Sequence, residues 1–140
     1  MKNRVARLLS VGIALAAVAA VHAQDKTLNA NVPFSFYMGS SPMPQGAYRV
    51  REASTGAVVW LNSMHSNANE AATTLAINGK KETEPARLIF HRYGEDYFLA
   101  EIWTGDTSVG RVLARSPREK ELAQSGAAPH LAMIQISLHR

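Results

Sequence analysis

Alternation of apolar and polar residues at every second position is the feature that most constrains the fold of this chain. Four apolar residues of the first such segment fall on one side: Ala30, Val32, Phe34 and Phe36. The same period recurs at Tyr48 and Val50, and again from Leu131 to His139. Because a period of two is that of a half-buried strand and not of a helix, the pattern predicts an all-β fold.

Turn-forming residues divide the chain into seven or eight short strands. The predicted strands are 30–37, 48–51, 57–62, 71–77, 87–93, 97–103, 109–113 and 131–139. Pro33 cannot donate to a strand ladder, which predicts that the first strand lies at a sheet edge. The run from Val58 to Leu61 has no polar face and predicts a strand covered on both sides. Short strands at this spacing indicate an antiparallel β-sandwich or a small β-barrel, and the sequence leaves both open.

One helix is predicted near the C-terminus, after the strand 109–113. Ser116 is a suitable N-cap, Pro117 follows at the first helical position, and Glu119 stands three residues after the cap. This is the pattern of a capping box. The helix is expected to run through Leu122 and to end near Gly126.

The first 23 residues have the three parts of a secretory signal peptide in order. The segment begins with three basic residues: Lys2, Arg4 and Arg7. An uncharged run from Leu8 to Val21 follows, and small residues precede a cleavage position after Ala23. The run is shorter than the roughly 20 apolar residues that a membrane span needs. We therefore predict an exported protein, periplasmic or extracellular, with no membrane span after cleavage and a single β domain at 24–140.

The charge of the processed chain argues against nucleic-acid binding. Three of the 15 Lys and Arg residues lie in the predicted signal and all 11 Asp and Glu residues lie outside it, which leaves a net charge of +1. The remaining basic residues are interleaved with acids, so no basic groove is expected to neutralise phosphates. The chain also has no cysteine, which excludes disulfides and thiolate chemistry.

The common catalytic and metal-binding patterns are missing from the sequence. No Gly-x-Ser-x-Gly and no glycine-rich phosphate loop is present. The histidines of the processed chain stand singly: His65, His91, His130 and His139. Glu95, Asp96 and Glu101 are expected to be solvated carboxylates. The sequence therefore predicts no catalytic residue, no metal site and no cofactor, and a protein that is not an enzyme.

The stretch FHRYGEDYFLAEIW, residues 90–103, predicts a hairpin with an unusual concentration of aromatic and charged side chains. A three-residue loop, 94–96, would place Tyr93 opposite Tyr97 and Leu88 opposite Ile102, with Phe90 opposite Ala100. A two-residue loop at 94–95 would shift every pair by one position. The three-residue loop predicts a core face composed of Leu88, Phe90, Phe98, Ala100 and Ile102.

The other predicted face of the hairpin is the candidate binding surface. It carries Arg87, Ile89 and Leu99 together with five candidate ligand-binding residues: His91, Tyr93, Tyr97, Glu101 and Trp103. The aromatic rings offer flat apolar area and the polar groups offer directional bonds, which suits a small apolar or sugar-like ligand or a protein partner. The alternative is that this face packs under the predicted helix or against another sheet.

Four segments of the chain resemble a known group of proteins in their order and spacing. They are VPFSFYMG, MPQGAYRV, RLIFHRYGEDYFLAEIWTGD and GRVLARSPREKELA. Their succession, from Asn31 to about Ala123, resembles a family of small uncharacterised secreted proteins frequent in acidobacterial genomes. The resemblance implies a secreted β protein with a closing helix. It implies no activity and assigns no role to any residue.

Three classes of function remain open from the sequence, and each predicts a different structural observation. A binding module would show a pocket lined by Tyr93, Tyr97 and Trp103. A structural or envelope-associated assembly protein would show an exposed flat edge at Val32–Tyr37 or Leu131–His139. An enzyme, the class that the missing motifs favour least, would show histidines clustered with Glu101.

Overall fold

A computed structural model of the chain describes residues 26–79, 84–126, 128–135 and 137–138. They form eleven strands and one helix: β1 (Lys26–Val32), β2 (Phe36–Met38), β3 (Ser41–Met43), β4 (Gly46–Glu52), β5 (Val58–Ser63), β6 (Asn69–Asn78), β7 (Arg87–Tyr93), β8 (Asp96–Trp103), β9 (Val109–Leu113), α1 (Pro117–Gln124), β10 (His130–Gln135) and β11 (Ser137–Leu138). The predicted all-β fold with one short helix is confirmed. The predicted signal peptide and His139 lie outside the described residues.

The strands follow one path of neighbours, in the order β10-β7-β8-β9-β6-β5-β4-β1-β11. The ten-residue strand β6 belongs to both halves of this path, because Asn69–Thr73 pair with β5 and Thr74–Asn78 pair with β9. Neighbours on the path are antiparallel, and the exception lies off it, where Tyr37 of β2 pairs with Phe98 of β8 in parallel. The strand β6 therefore passes from one sheet of the fold into the other.

The C-terminal segment joins the outer edges of the two sheets. β10 pairs with β7, and β11 pairs with β1 at the positions of Leu28 and Asn29. Among the described strands, none pairs with the second edge of β10. The fold is therefore sandwich-like and not a closed barrel, which decides between the two predicted architectures.

The core lies between the sheets and is built from the alternate residues that the sequence pattern indicated. Its completely buried members, at 0 or 1% exposure, are Leu28, Val32, Met38, Tyr48, Val50, Val59, Leu61, Leu88, Phe90 and Ile102. β5 was expected to be covered on both sides, and this is wrong: Val58 and Trp60 are only half-buried. The guanidinium of Arg51 lies 4.7 Å from the centre of the Trp60 ring, so a cation and not a second layer lies against this ring.

The first predicted strand is interrupted at Pro33. β1 ends at Val32 and β2 begins at Phe36, because proline has no N–H to continue the ladder. β1 pairs with β4 along its whole length but with β11 only at Leu28 and Asn29, so among the described strands the residues next to Pro33 have a partner on one side only, as predicted for an edge. Within the interruption, Phe34 turns toward the core and its ring lies 5.0 Å from that of Phe90, edge to face.

The helix has the predicted N-terminus. Ser116 Oγ accepts a hydrogen bond from the backbone N–H of Glu119 at 3.2 Å, and Pro117 occupies the first turn. The helix ends at Gln124, and Gly126 follows with a φ of +91°. In the part of the chain that the structure describes, no helix has the length and apolar character to cross a membrane.

Candidate functional site

The turn of the β7–β8 hairpin contains two residues, Gly94 and Glu95, and not three. Tyr93 pairs with Asp96 across the turn, so the predicted pairing of Tyr93 with Tyr97 is wrong. Gly94 has a φ of +62°. A positive φ at the first of two loop residues is what a type II′ hairpin turn requires, and glycine adopts it without strain.

A β-bulge in β8 restores the predicted register further along the hairpin. Ile89 pairs with Glu101 whereas Phe90 pairs with Leu99, so Ala100 is an extra residue on β8. Leu88 faces Ile102 as predicted. Between the turn and the bulge the two faces of β8 are exchanged relative to the prediction. Leu99 therefore belongs to the core cluster, and Phe98 lies on the opposite face, beside His91.

The five candidate ligand-binding residues do not form one surface. His91 and Tyr93 lie on the outer face of the hairpin near the turn, and Glu101 and Trp103 lie on the same face beyond the bulge. Tyr97 lies on the inner face, where its ring stacks on Phe34 at 3.8 Å. The expected pocket lined by Tyr93, Tyr97 and Trp103 is therefore not formed by these residues.

A buried carboxylate of the helix binds the outer face near the turn. Glu119 is 4% exposed, and its Oε1 lies 2.7 Å from Nδ1 of His91. The Tyr93 hydroxyl donates to the same oxygen at 3.3 Å, and Arg115 Nε lies 3.8 Å from it. The predicted alternative, in which this face packs under the helix, is confirmed at the turn end of the hairpin.

We call these four residues the Glu119 cluster (His91, Tyr93, Arg115 and Glu119). Within the cluster, the pKa of the Tyr93 hydroxyl is raised above its ordinary value. Burial raises the pKa of the Tyr93 hydroxyl, and the negative charge of Glu119 and the hydrogen bond to it raise the pKa further, against the opposing charge of Arg115. Tyr93 is therefore a neutral donor at physiological pH. A histidine oriented by a carboxylate has the arrangement of a general base. Among the described residues, no group of three or more His, Asp or Glu side chains is placed to hold a metal ion.

A second cluster covers the far end of the same face. Trp103 Nε1 donates to Glu101 Oε2 at 2.8 Å, and the Arg87 guanidinium lies 4.9 Å from the centre of the indole. The indole lies flat on Gly110, where an added Cβ would be 2.7 Å from three ring atoms. Trp103 is only 9% exposed, so its ring fills space between strands and leaves little area for a ligand.

A cleft of about 390 Å³ lies at the tip of the hairpin. It lies between the β2–β3 pair and the start of β8. Its lining is largely apolar and comprises Ser35, Phe36, Tyr37, Pro42, Met43, Pro44, Glu95, Asp96 and Tyr97. Of the five predicted ligand-binding residues, only Tyr97 lines this cleft.

The walls of this tip cleft are held by contacts behind them. The Tyr37 ring stacks on Phe98 with 5.1 Å between the ring centres, and the Tyr97 ring stacks on Phe34. The hydroxyl of Tyr48, which is completely buried, donates to the carbonyl oxygen of Pro44. Each wall is therefore fixed by a partner in the core or on the outer face.

The two carboxylates that line the tip cleft, Glu95 and Asp96, are each paired with an arginine. Arg118 Nη2 lies 3.1 Å from Asp96 Oδ2, and its guanidinium lies 5.2 Å from the centre of the Tyr37 ring. Arg92 lies similarly over Tyr97, at 5.3 Å. The Glu95 side chain is 96% exposed. Sequence reasoning missed Tyr37 and Arg118, because only the parallel pairing of β2 with β8 and the position of α1 bring them to the cleft.

A second cleft, of about 310 Å³, is lined in part by Lys26, Glu52 and Arg111, each of which is held in an ion pair. Arg111 Nε lies 2.8 Å from Glu52 Oε1, and Lys26 Nζ lies 2.7 Å from Asp106 Oδ2. Burial acts to raise the pKa of Asp106, but the hydrogen bonds from Lys26 and Thr104 outweigh it and lower the pKa below its ordinary value. The charged groups of this cleft stabilise one another.

Comparisons with family models, with curated proteins and with solved structures found no match to this chain. Any function must therefore be argued from the geometry of the clefts, clusters and edges themselves.

Proposed function

We propose that the chain is a non-enzymatic, exported binding module that takes a small, mainly apolar ligand in the tip cleft. The observation that carries this proposal is the preformed cleft with aromatic walls and a carboxylate rim at the end of the β7–β8 hairpin. Export to the periplasm or the cell exterior rests on the signal pattern of residues 1–23. The secreted acidobacterial family that the sequence resembles is consistent with this location.

The size and composition of the tip cleft suit a small molecule. Sites for small ligands are typically concavities of roughly 300 to 1,000 Å³ with apolar walls and a few polar groups. A volume of about 390 Å³ is near the lower limit of that range. A ligand with a single ring matches this volume better than an oligosaccharide or a folded partner.

The polar groups of the cleft select for hydrogen-bond donors. The carboxylates of Glu95 and Asp96 can only accept hydrogen bonds when ionised, so a ligand that carries a hydroxyl or an amine is favoured over one that has no donor. The faces of the Tyr37 and Tyr97 rings already carry stacked neighbours and guanidinium groups. The ligand is therefore expected to meet ring edges and hydroxyls, which favours an apolar ring with a donor over a sugar that binds by stacking.

Amide chemical shifts with three probes of one ring type test this proposal. ¹⁵N-labelled protein expressed from the full sequence is titrated with benzylamine, benzyl alcohol and benzoate. We expect shifts at Tyr37, Asp96 and Tyr97 for the first two probes, with dissociation constants in roughly the millimolar range for ligands of this size. Benzoate is expected to bind more weakly than either.

A matched pair of variants separates the cleft from general charge effects. Asp96→Asn is expected to weaken benzylamine binding about tenfold, since it removes a charge-assisted hydrogen bond. Asp106→Asn changes an aspartate that is paired with Lys26 of the second cleft, away from the tip cleft, and is expected to leave binding unchanged. The proposal fails if no probe shifts the cleft amides, or if both variants weaken binding equally.

A further inference from the structure

We propose that β10 is a pairing edge through which the chain associates with a second copy of itself. The two copies would join their β10 strands antiparallel and continue one sheet across the interface. None of the residues that line the tip cleft belongs to β10, so this inference does not depend on ligand binding there.

The second edge of β10 has no strand partner in the part of the chain that the structure describes. Its six residues pair with β7, from His130 opposite Arg92 to Gln135 opposite Arg87. The strand ends where the chain crosses to β1, which pairs with β11 only at Leu28 and Asn29. A row of backbone donors and acceptors is thus directed away from β7, as required for adding another strand.

Both faces of β10 carry apolar surface that its own sheet does not cover. On the outer face Leu131 is 70% exposed and Met133 is 59% exposed. On the inner face Ala132 and Ile134 are only half-buried, although they pack against the core. A strand added at this edge would cover apolar area on both faces of β10. A small ligand bound to one face would cover only part of that area.

The edge lacks the features by which sheet proteins usually prevent such pairing. The three-residue strand β3 is also paired on one side only, but it is short and carries Pro42. β10 is twice as long and contains no proline, lysine, arginine or acid. Edges without charge, proline or covering are the ones that pair with other chains.

A second copy is the partner that these features fit best. In any antiparallel pairing of His130–Gln135 with itself, no like formal charges stand opposite each other while His130 is neutral. The net charge of +1 expected for the processed chain gives little repulsion between copies. β10 has no charged side chain by which it could select a strand of opposite charge on another protein.

The association is expected to be weak. A stable protein interface buries roughly 1,200 to 2,000 Å² in total, and one six-residue strand with two exposed apolar side chains provides less. We therefore expect a dimer with a dissociation constant on the order of 100 µM.

Sedimentation velocity between 10 µM and 1 mM tests the inference on protein expressed from the full sequence. The mean sedimentation coefficient should rise with concentration, and the amides of 130–135 should exchange more slowly with solvent at high concentration. Met133→Lys introduces a charge of the kind that protects natural edges and should weaken association at least tenfold. The fold of this variant is checked by its melting temperature, which should be unchanged because Met133 is exposed.

Leu75→Lys is the matched control. Leu75 is also exposed, at 74%, but it lies on β6, where it pairs with Val112 of β9, so its replacement should leave association through β10 unchanged. A monomer at 1 mM with unaltered exchange at 130–135 would overturn the inference. Association that survives Met133→Lys and is lost in Leu75→Lys would overturn it as well, by placing the contact elsewhere.

Discussion

The two ends of the outer face of the β7–β8 hairpin are covered in different ways. At the turn end, one helical carboxylate reaches down to His91 and Tyr93 and holds α1 on the sheet. At the far end no helix is needed, because the Trp103 indole lies flat on Gly110 and ties itself to Glu101. The helix is held at the turn end by polar contacts, whereas the indole is held at the far end by close packing.

This difference shows why a dense aromatic and charged segment need not be a binding surface. Glu119 is the buried residue of α1, so the helix docks through a carboxylate and not through an apolar stripe. Buried polar groups cost stability unless they are paired, and here each of them finds a partner. The aromatic and charged residues of this face therefore mainly contact one another and α1, and leave little of the face open to a ligand.

The largest expected effect concerns the turn end. Glu119→Ala should lower the free energy of unfolding by about 3 kcal/mol, because it leaves His91 and Tyr93 without their buried partner. Urea denaturation measures the loss. Hydrogen exchange should show that the amides of α1 open more readily than those of β5.

Glu121→Ala provides the control within the same helix. Glu121 is exposed, and its replacement should change stability by less than about 0.5 kcal/mol. Glu119→Gln should lie between the two, since an amide oxygen can still accept from Tyr93. Equal losses for Glu119→Ala and Glu121→Ala would show that the helix is held by something other than the Glu119 cluster.

The next effect concerns the far end. Gly110→Ala should cost about 2 kcal/mol, because the new methyl group would lie 2.7 Å from three atoms of the Trp103 ring and force it to move. Guanidinium denaturation measures the change, and tryptophan fluorescence in a Trp60→Phe background reports the displacement of the ring.

A double-mutant cycle with Trp103→Leu isolates this contact. The smaller leucine leaves room for the methyl group, so Gly110→Ala should cost clearly less in that background. An identical cost in both backgrounds would assign the effect to the backbone of β9 and not to the indole, and the contrast between the two ends would be lost.

Local patterns in the sequence were sufficient for most elements of the fold. Turn residues and short runs of strand-forming residues located β5, β6 and β9 to within one or two residues, and Ser116-Pro117 located the start of α1. These signals depend on near neighbours in the chain, which the sequence displays directly.

The hairpin register could not be predicted for an identifiable reason. Residues 97–100 are Tyr, Phe, Leu and Ala, four apolar residues in succession, so alternation does not distinguish their two faces. The bulge at Ala100 and the parallel pairing of Tyr37 with Phe98 depend on contacts distant in the chain. The role of the Glu119 side chain also depends on distant contacts. The sequence predicts that it belongs to a capping box, whereas in the structure its carboxylate binds His91 and Tyr93 of the sheet.

The smallest expected effect is a pH dependence that belongs to the turn end. Burial, the charge of Glu119 and the hydrogen bond to it all raise the pKa of Tyr93 above its ordinary value near 10. The folded state therefore retains the phenol proton more firmly than the unfolded state. The resulting stability is complete below the unfolded pKa and is lost as the pH rises through the folded pKa.

Tyr93→Phe should cost about 1 kcal/mol near pH 8, where it removes one hydrogen bond, and progressively less above pH 10. Urea denaturation at several pH values from 8 to 11 measures the difference between wild type and variant. Burial also raises the pKa of Tyr48, so both proteins should still lose some stability at high pH. In a Glu119→Gln background the pH dependence of the Tyr93→Phe effect should be weaker, because the charge of Glu119 is one of its causes. A difference that stays constant from pH 8 to 11 would mean that the ionisation of Tyr93 is not linked to the attachment of the helix.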